Sequence, residues 1–259
     1  MSFRRLKLTV AYDGHPWKGW QSQARGQTIQ DELEKALGSL TGVKVNIQGS
    51  GRTDAGVHAL AQVAHADVPD SLKMNEQAWV RALNVRLPHS IRVLGCEDTH
   101  GDFHARFDAL GKIYAYRLWR ADVHSPFEAG RAWHLHGPLD LQVLTAAAQL
   151  LCGTHNFARL SANRGGMSED ERREDSESLT RTIRRFELFP EGNALRLEVE
   201  GDGFLYKMVR LMVGSIVHVA RGRAPLDWIR ELVGDPEGLK SNQTAPADGL
   251  YLVKVIYTP

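Results

Sequence analysis

Cysteine is scarce in these 259 residues: Cys96 and Cys152 stand far apart, with no CxxC spacing. Two isolated thiols exclude a disulfide scaffold and a cysteine-rich zinc site. Long apolar runs are missing too. Arg4 and Arg5 open the chain, but the apolar residues after them alternate with Lys7 and Thr9, so a secretory core is not expected. The most apolar stretch, 208–220, is too short to span a bilayer and contains Arg210 and His218. No membrane association is expected, and a cytoplasmic location follows by default. A charge excess of one sign is also absent, since the formal net charge is +1. That average hides an asymmetry. Residues 169–177 hold six acids against two arginines, a local charge of −4, which leaves +5 on the rest. Short basic groups recur at Arg4-Arg5-Lys7, Arg181-Arg184-Arg185 and Arg221-Arg223. They read either as phosphate contacts or as ordinary solvated surface.

What is present is a sequence of short, well-punctuated elements. Leu6, Leu8 and Val10 alternate with polar residues as in a half-buried strand. A loop rich in Gly and Trp follows, from Tyr12 to Gln21. Ile29, Leu33, Ala36, Leu37 and Leu40 then recur at helical spacing behind a Thr28/Asp31 cap. Val43, Val45 and Ile47 predict a strand, Gly49–Gly56 a turn, Val57–Ala66 an extended run and Asn75–Val85 a helix. Further on, Lys112–Trp119 reads as a strand and Leu139–Leu151 as a helix. A hairpin is expected over Thr182–Phe189 and Ala194–Val199. Phe204–Ala220 reads as a buried helix, Pro225–Val233 as a short one, and a strand closes the chain after Gly249. The expected fold class is α+β: two similarly laid-out mixed halves with antiparallel sheets, residues 1–102 and 103–259. The stretch 161–178 is polar and acidic and reads as a loop.

The densest cluster of unusual residues is Gly49-Ser50-Gly51-Arg52-Thr53-Asp54-Ala55-Gly56-Val57-His58. Its glycines permit a tight turn and leave room for a bulky group, with Arg52 and Asp54 presented at the end of a sheet. On local grounds Asp54 reads first as a turn-capping residue. A phosphate-cradling GxGxxG loop is excluded, because an acid stands where the third glycine belongs. Taken alone, Tyr114 is a strand tyrosine suited to a core. Arg210 reads either as the partner of a buried acid or as a side chain reaching the surface from a helix edge. His134-Leu135-His136 places two imidazoles close together without a third ligand nearby, so a metal is not expected.

Gly51-Arg52-Thr53-Asp54-Ala55-Gly56-Val57-His58 resembles the signature of TruA-type tRNA pseudouridine synthases. Four further blocks are similar to that family, in order: Tyr12-Asp13-Gly14 through Gln23, Phe103–Ala109 with Lys112–Tyr116, Gly203–Arg210 with Val213-Gly214-Ser215, and Thr244–Leu252. The resemblance implies the pseudouridine synthase fold, with a central active-site cleft, and Asp54 as catalytic nucleophile. It implies that Tyr114 packs on the uracil, that Arg210 supplies a counter-charge to Asp54, and that Arg52 enters the space left by a flipped base or contacts its phosphates. It further implies a homodimer acting on the anticodon stem-loop of tRNA at positions 38, 39 and 40. Isomerising uridine involves neither redox change nor hydrolysis, so no cofactor is expected. The alternative is a non-catalytic RNA-binding or tRNA-chaperoning protein on the same scaffold. A zinc nucleoside deaminase is disfavoured, because its H-x-E and P-C-x-x-C arrangement does not occur.

Overall fold

The computed structural model of the chain describes residues 2–163 and 179–258. Most of the expected acidic loop 161–178 therefore lies outside the described residues. Two compact units are present: Met1–Leu110 with Tyr251–Pro259, and Gly111–Leu250. The sequence suggested one boundary between residues 102 and 103. The units instead divide after Leu110, and the end of the chain returns to the first unit.

In the first unit, β1 (Phe3–Tyr12) pairs antiparallel with β3 (His58–Pro69) on one side and with β4 (Ile91–Thr99) on the other. On its far edge β3 takes two short partners. These are β2 (Ile47–Gly49), antiparallel at 64–66, and β10 (Leu250–Ile256), parallel at His58 and Ala59. Leu6, Leu8 and Val10 are wholly buried, as their alternation requires, and Ile29, Leu33, Ala36 and Leu37 on the apolar stripe of α1 (Ile29–Thr41) are buried too. Thr28 caps α1 by accepting from the Asp31 N–H, and Gly42, at φ 71°, ends it in the left-handed conformation. Asn75 caps α2 (Glu76–Arg86) in the same way as Thr28.

β2 is shorter than the alternation at 43–47 suggested. Only Ile47–Gly49 reach β3, and the Ile47 N–H is spent on the Glu34 carboxylate at 3.1 Å. The basic cluster of β1 also has a different role from phosphate contact. Arg4 pairs with Asp98, Arg5 with Asp67 and Lys7 with Glu97, so acids on neighbouring strands already offset each charge.

In the second unit, β5 (Gly111–Trp119), β9 (Ala194–Gly201), β8 (Thr180–Glu191) and β7 (Gly153–Asn156) form antiparallel ladders in that order. The short β6 (Trp133–His134) runs parallel to β5. Three helices accompany them: α3 (Leu141–Leu150), the almost wholly buried α4 (Met208–Ala220), and α5 (Asp227–Gly234). The expected helix from Phe204 starts only at Met208, because Lys207 adopts a left-handed backbone at φ 59°. The Arg185 of the second basic group lies among Glu187, Glu198 and Glu200, another neutralised cluster. The fold is thus mixed α/β with mostly antiparallel pairing. Among the described residues, no helix is long and apolar enough to cross a membrane.

Candidate active site

Arg52 and Asp54 sit on the turn between β2 and β3, and main-chain and side-chain bonds from below fix that turn. The Val57 N–H donates to the main-chain carbonyl of Asp54 at 3.1 Å, with Gly56 at φ 80°. This closure does not require the Asp54 carboxylate. Thr53, buried, meets the Tyr12 hydroxyl at 2.8 Å. Ser50 donates to the Gln62 side-chain oxygen at 2.7 Å, and the Gln62 amide donates back to the Gly51 carbonyl at 2.9 Å. Burial raises the Tyr12 phenol far above its ordinary range, while its bonds to Thr53 and Gln62 oppose the shift. It therefore stays a neutral strut.

The Gly/Trp loop braces the same turn. The Trp20 N–H donates to the Thr53 carbonyl at 3.1 Å, and the Gly56 N–H to the Trp17 carbonyl at 3.3 Å. A Cβ on Gly14 would stand 1.9 Å from the Val57 carbonyl oxygen, and one on Gly19 would stand 2.6 Å from that of Thr53. Gly49 serves contact rather than a special φ, since a Cβ there would meet the Trp20 ring at 2.6 Å. Trp20 itself is buried, the packing role expected of most tryptophans. His58 closes the base of the turn. Its Nδ1 lies 3.1 Å from the Gly14 N–H and 3.2 Å from an Asp13 carboxylate oxygen. An amide always carries its proton, so a neutral His58 accepts from Gly14. The Asp13 contact becomes an ion pair only if the ring is protonated. The Tyr251 ring stacks on His58 at 4.5 Å.

Tyr114 and Arg210 belong to the second unit. Tyr114, on β5, is 8% exposed, and the Phe204 ring meets its edge at 5.1 Å. That contact gives the late start of α4 a purpose: with Lys207 turned out of the helix, Phe204 is free to fix the tyrosine. Arg210 lies in the first turn of α4, and its Nε donates to the Ala245 carbonyl at 2.8 Å. The Ala245 N–H returns a bond to the Arg210 carbonyl at 3.0 Å. Burial pushes the nearby Tyr116 phenol well above its usual range, with the Arg210 charge opposing and the Asp248 charge adding to the rise.

The structure thus gathers Arg52 and Asp54 on one loop of the first unit and Tyr114 and Arg210 in the second. Sequence reading missed Tyr12, Thr53, Gln62 and Phe204. Tyr12 read only as the opening residue of the Gly/Trp loop, and nothing in local spacing links it to residue 53. The rings of His134 and His136 are 3.9 Å apart, with His134 Nε2 on the Ala121 carbonyl. Among the described residues, no group of three or more His, Cys, Asp or Glu side chains could hold a metal ion.

A family model described as tRNA pseudouridine synthase matches residues 8–108 and 147–258. The chain belongs to the tRNA pseudouridine synthase family. Arg52, Asp54 and Arg210 fall in the matched segments, and Tyr114 falls between them. The chain is 45% identical over 255 residues to the tRNA pseudouridine synthase A of Akkermansia muciniphila, covering 98% of this chain and 95% of that protein. The protein of the same name from Bordetella petrii is 37% identical over 257 residues, with 98% and 92% covered. That of Methylacidiphilum infernorum is 38% identical over 253 residues, with 98% and 95% covered. A solved structure described as a Cbf5-Nop10-Gar1 complex aligns at 12% identity and TM-score 0.40, over 95% of this chain and 48% of that one. The family match is what makes the chain an isomerase.

Proposed function

We propose that the chain converts uridine to pseudouridine in the anticodon stem-loop of tRNA, at positions 38, 39 and 40, with Asp54 as nucleophile. In this isomerisation the uracil N1–C1′ bond breaks and a C5–C1′ bond forms. C5 loses a proton and N1 gains one, so electrons and atoms balance without an external reactant. An ionised carboxylate holds the sugar and base together through a covalent intermediate. The observation that carries the reading is the Asp54 turn: two other segments fix its backbone, and its closing bond uses the main chain of Asp54 rather than its acid. A turn anchored in this way presents a carboxylate to a base drawn out of its stack at little entropic cost.

In this reading Arg210 is the counter-charge for Asp54. An opposed guanidinium keeps the acid ionised while water is excluded. Tyr114 packs on the uracil, and its hydroxyl takes part in removing the C5 proton. Arg52 takes the place of the flipped nucleotide or contacts its phosphates. Several target positions imply recognition by RNA shape and backbone rather than by base sequence. The protein acts as a homodimer, in the compartment that holds tRNA.

Asp54→Asn should lower tritium release from tRNA carrying 5-tritiated uridine by ~1000-fold or more. Its affinity for tRNA should change by less than about threefold, because the substitution removes chemistry rather than surface. Normal turnover in that variant would falsify the assignment. Retained turnover by Tyr114→Phe would remove the hydroxyl from the proton step and leave only stacking.

A further inference from the structure

The side chain of Arg210 is seated by a remote strap of chain, residues 235–249, and that strap is held at several points along its length. At its near end, Arg159 is 7% exposed and donates through Nε to the Leu239 carbonyl at 2.7 Å and through Nη1 to the Glu231 carbonyl at 2.7 Å. The Ser241 N–H donates to the Arg159 carbonyl at 2.8 Å. Midway, the buried hydroxyls of Ser241 and Ser215 meet at 2.8 Å. At its far end the Pro246 carbonyl accepts from the Tyr116 hydroxyl at 2.8 Å, and Gly249 lies flush against the Tyr116 ring. Between these anchors the strap crosses α4 over Gly214, where a Cβ would stand 1.8 Å from the Gln243 carbonyl oxygen and 3.0 Å from the Ala245 nitrogen. Gly214 is four residues after Arg210, on the same helix face. Helix propensity favours alanine at such a position, and only the close passage of the strap accounts for glycine.

We propose that Gly214 is a positioning residue for Arg210. By letting the strap lie against α4, it brings the Ala245 carbonyl within reach of Arg210 Nε and so fixes the plane of the guanidinium. A planar fork with one N–H committed to a fixed carbonyl has its remaining donors aimed rather than mobile. Ser215 and Ser241 act with it, clamping the strap one residue further along the helix. The activity part of this inference rests on the proposed role of Arg210 in the reaction; the positioning part does not.

The test reads the side chain directly. In nitrogen-15-labelled protein, Gly214→Ala should speed solvent exchange of the Arg210 Nε–H and the Ala245 amide by about tenfold or more, while amides elsewhere in α4 keep their protection. Unchanged exchange at both groups overturns the proposal. Should Gly214→Ala not fold, Ser241→Ala removes one hydroxyl without adding bulk. It should speed exchange at Ala245 by about threefold, and unchanged exchange there likewise overturns the proposal. In turnover, Gly214→Ala should lower kcat about tenfold with tRNA affinity unchanged. Combined with Arg210→Lys, it should lower kcat no further than Arg210→Lys alone, because both act through one group. Additive losses would mean that the strap acts elsewhere and would overturn the proposal. Loosened Arg210 exchange with full activity in Arg210→Lys upholds the positioning role and removes Arg210 from the reaction.

Discussion

Each unit seats its candidate side chain by letting a glycine lie against the carbonyl of a distant segment, but the two glycines do so in different settings. In the first unit Gly14 sits in a loop, 1.9 Å short of the Val57 carbonyl oxygen for any added Cβ, and Gly19 nearby has φ 95°. In the second, Gly214 sits inside a helix, 1.8 Å short of the Gln243 carbonyl oxygen. In the loop, lack of bulk and freedom of φ act together. In the helix only lack of bulk matters, and it is retained against a propensity cost of ~1 kcal/mol relative to alanine. The aspartate turn is therefore held by its own conformation plus cross-bracing, whereas the arginine is held by what passes over it.

The largest effect should come from breaking the first arrangement. Gly14→Ala, like Gly214→Ala, forces a Cβ into backbone with no flexible side chain to yield, but here that backbone belongs to the aspartate turn itself. Overpacking of this kind costs about 1–3 kcal/mol, and displacing Val57 displaces the turn that carries Asp54. Turnover should fall by at least the factor expected for Gly214→Ala, and urea unfolding should show the larger loss of stability. If Gly14→Ala proves the milder of the two, the turn is not braced as described, and the comparison reverses.

A smaller effect sharpens the role of the hydroxyl pair. Thr53→Val takes the 2.8 Å partner from the buried Tyr12 phenol and leaves it the Gln62 contact, which should cost about 1 kcal/mol. Tyr12→Phe leaves the Thr53 hydroxyl in a similar position. Removing both should cost less than the sum, because neither hydroxyl is then left without the other. A double-mutant cycle in urea measures the coupling, and purely additive losses would show that the two hydroxyls do not depend on each other.

These contrasts also explain what could be read from the sequence. Alternation at Leu6, Leu8 and Val10 and the Thr28 cap were legible because strand and helix periods are local signals. The hairpin around Gly192 was legible for the same reason, since its turn residues announce it. The aspartate turn stood out because glycines cluster there. What escaped was non-local. The acids that neutralise Arg4, Arg5 and Lys7 come from strands 62–94 residues away, so a basic run looked available for phosphate. The strap over Gly214 left no periodic trace, and the break at Lys207 depends on a left-handed backbone that lysine rarely adopts.

The mildest prediction concerns a histidine that braces the first unit away from the turn. His65 is buried, and its Nδ1 accepts the Ala105 N–H at 3.1 Å, so it must be neutral to serve. Burial, followed by the charges of His104 and Arg5, lowers its pKa to about 4. Unfolded, the ring titrates near its ordinary 6.5. The unfolded chain therefore binds the proton first as pH falls. The stabilisation is whole above about 6.5 and is lost progressively toward pH 4. Between pH 6.5 and 5, where few carboxylates titrate, the unfolding free energy should decline in the wild type and decline less in His65→Asn. An equal slope in both proteins would mean that the folded ring takes up its proton as readily as the unfolded one, which the Ala105 bond opposes. This brace lies on β3, the strand that also carries His58 beneath Asp54.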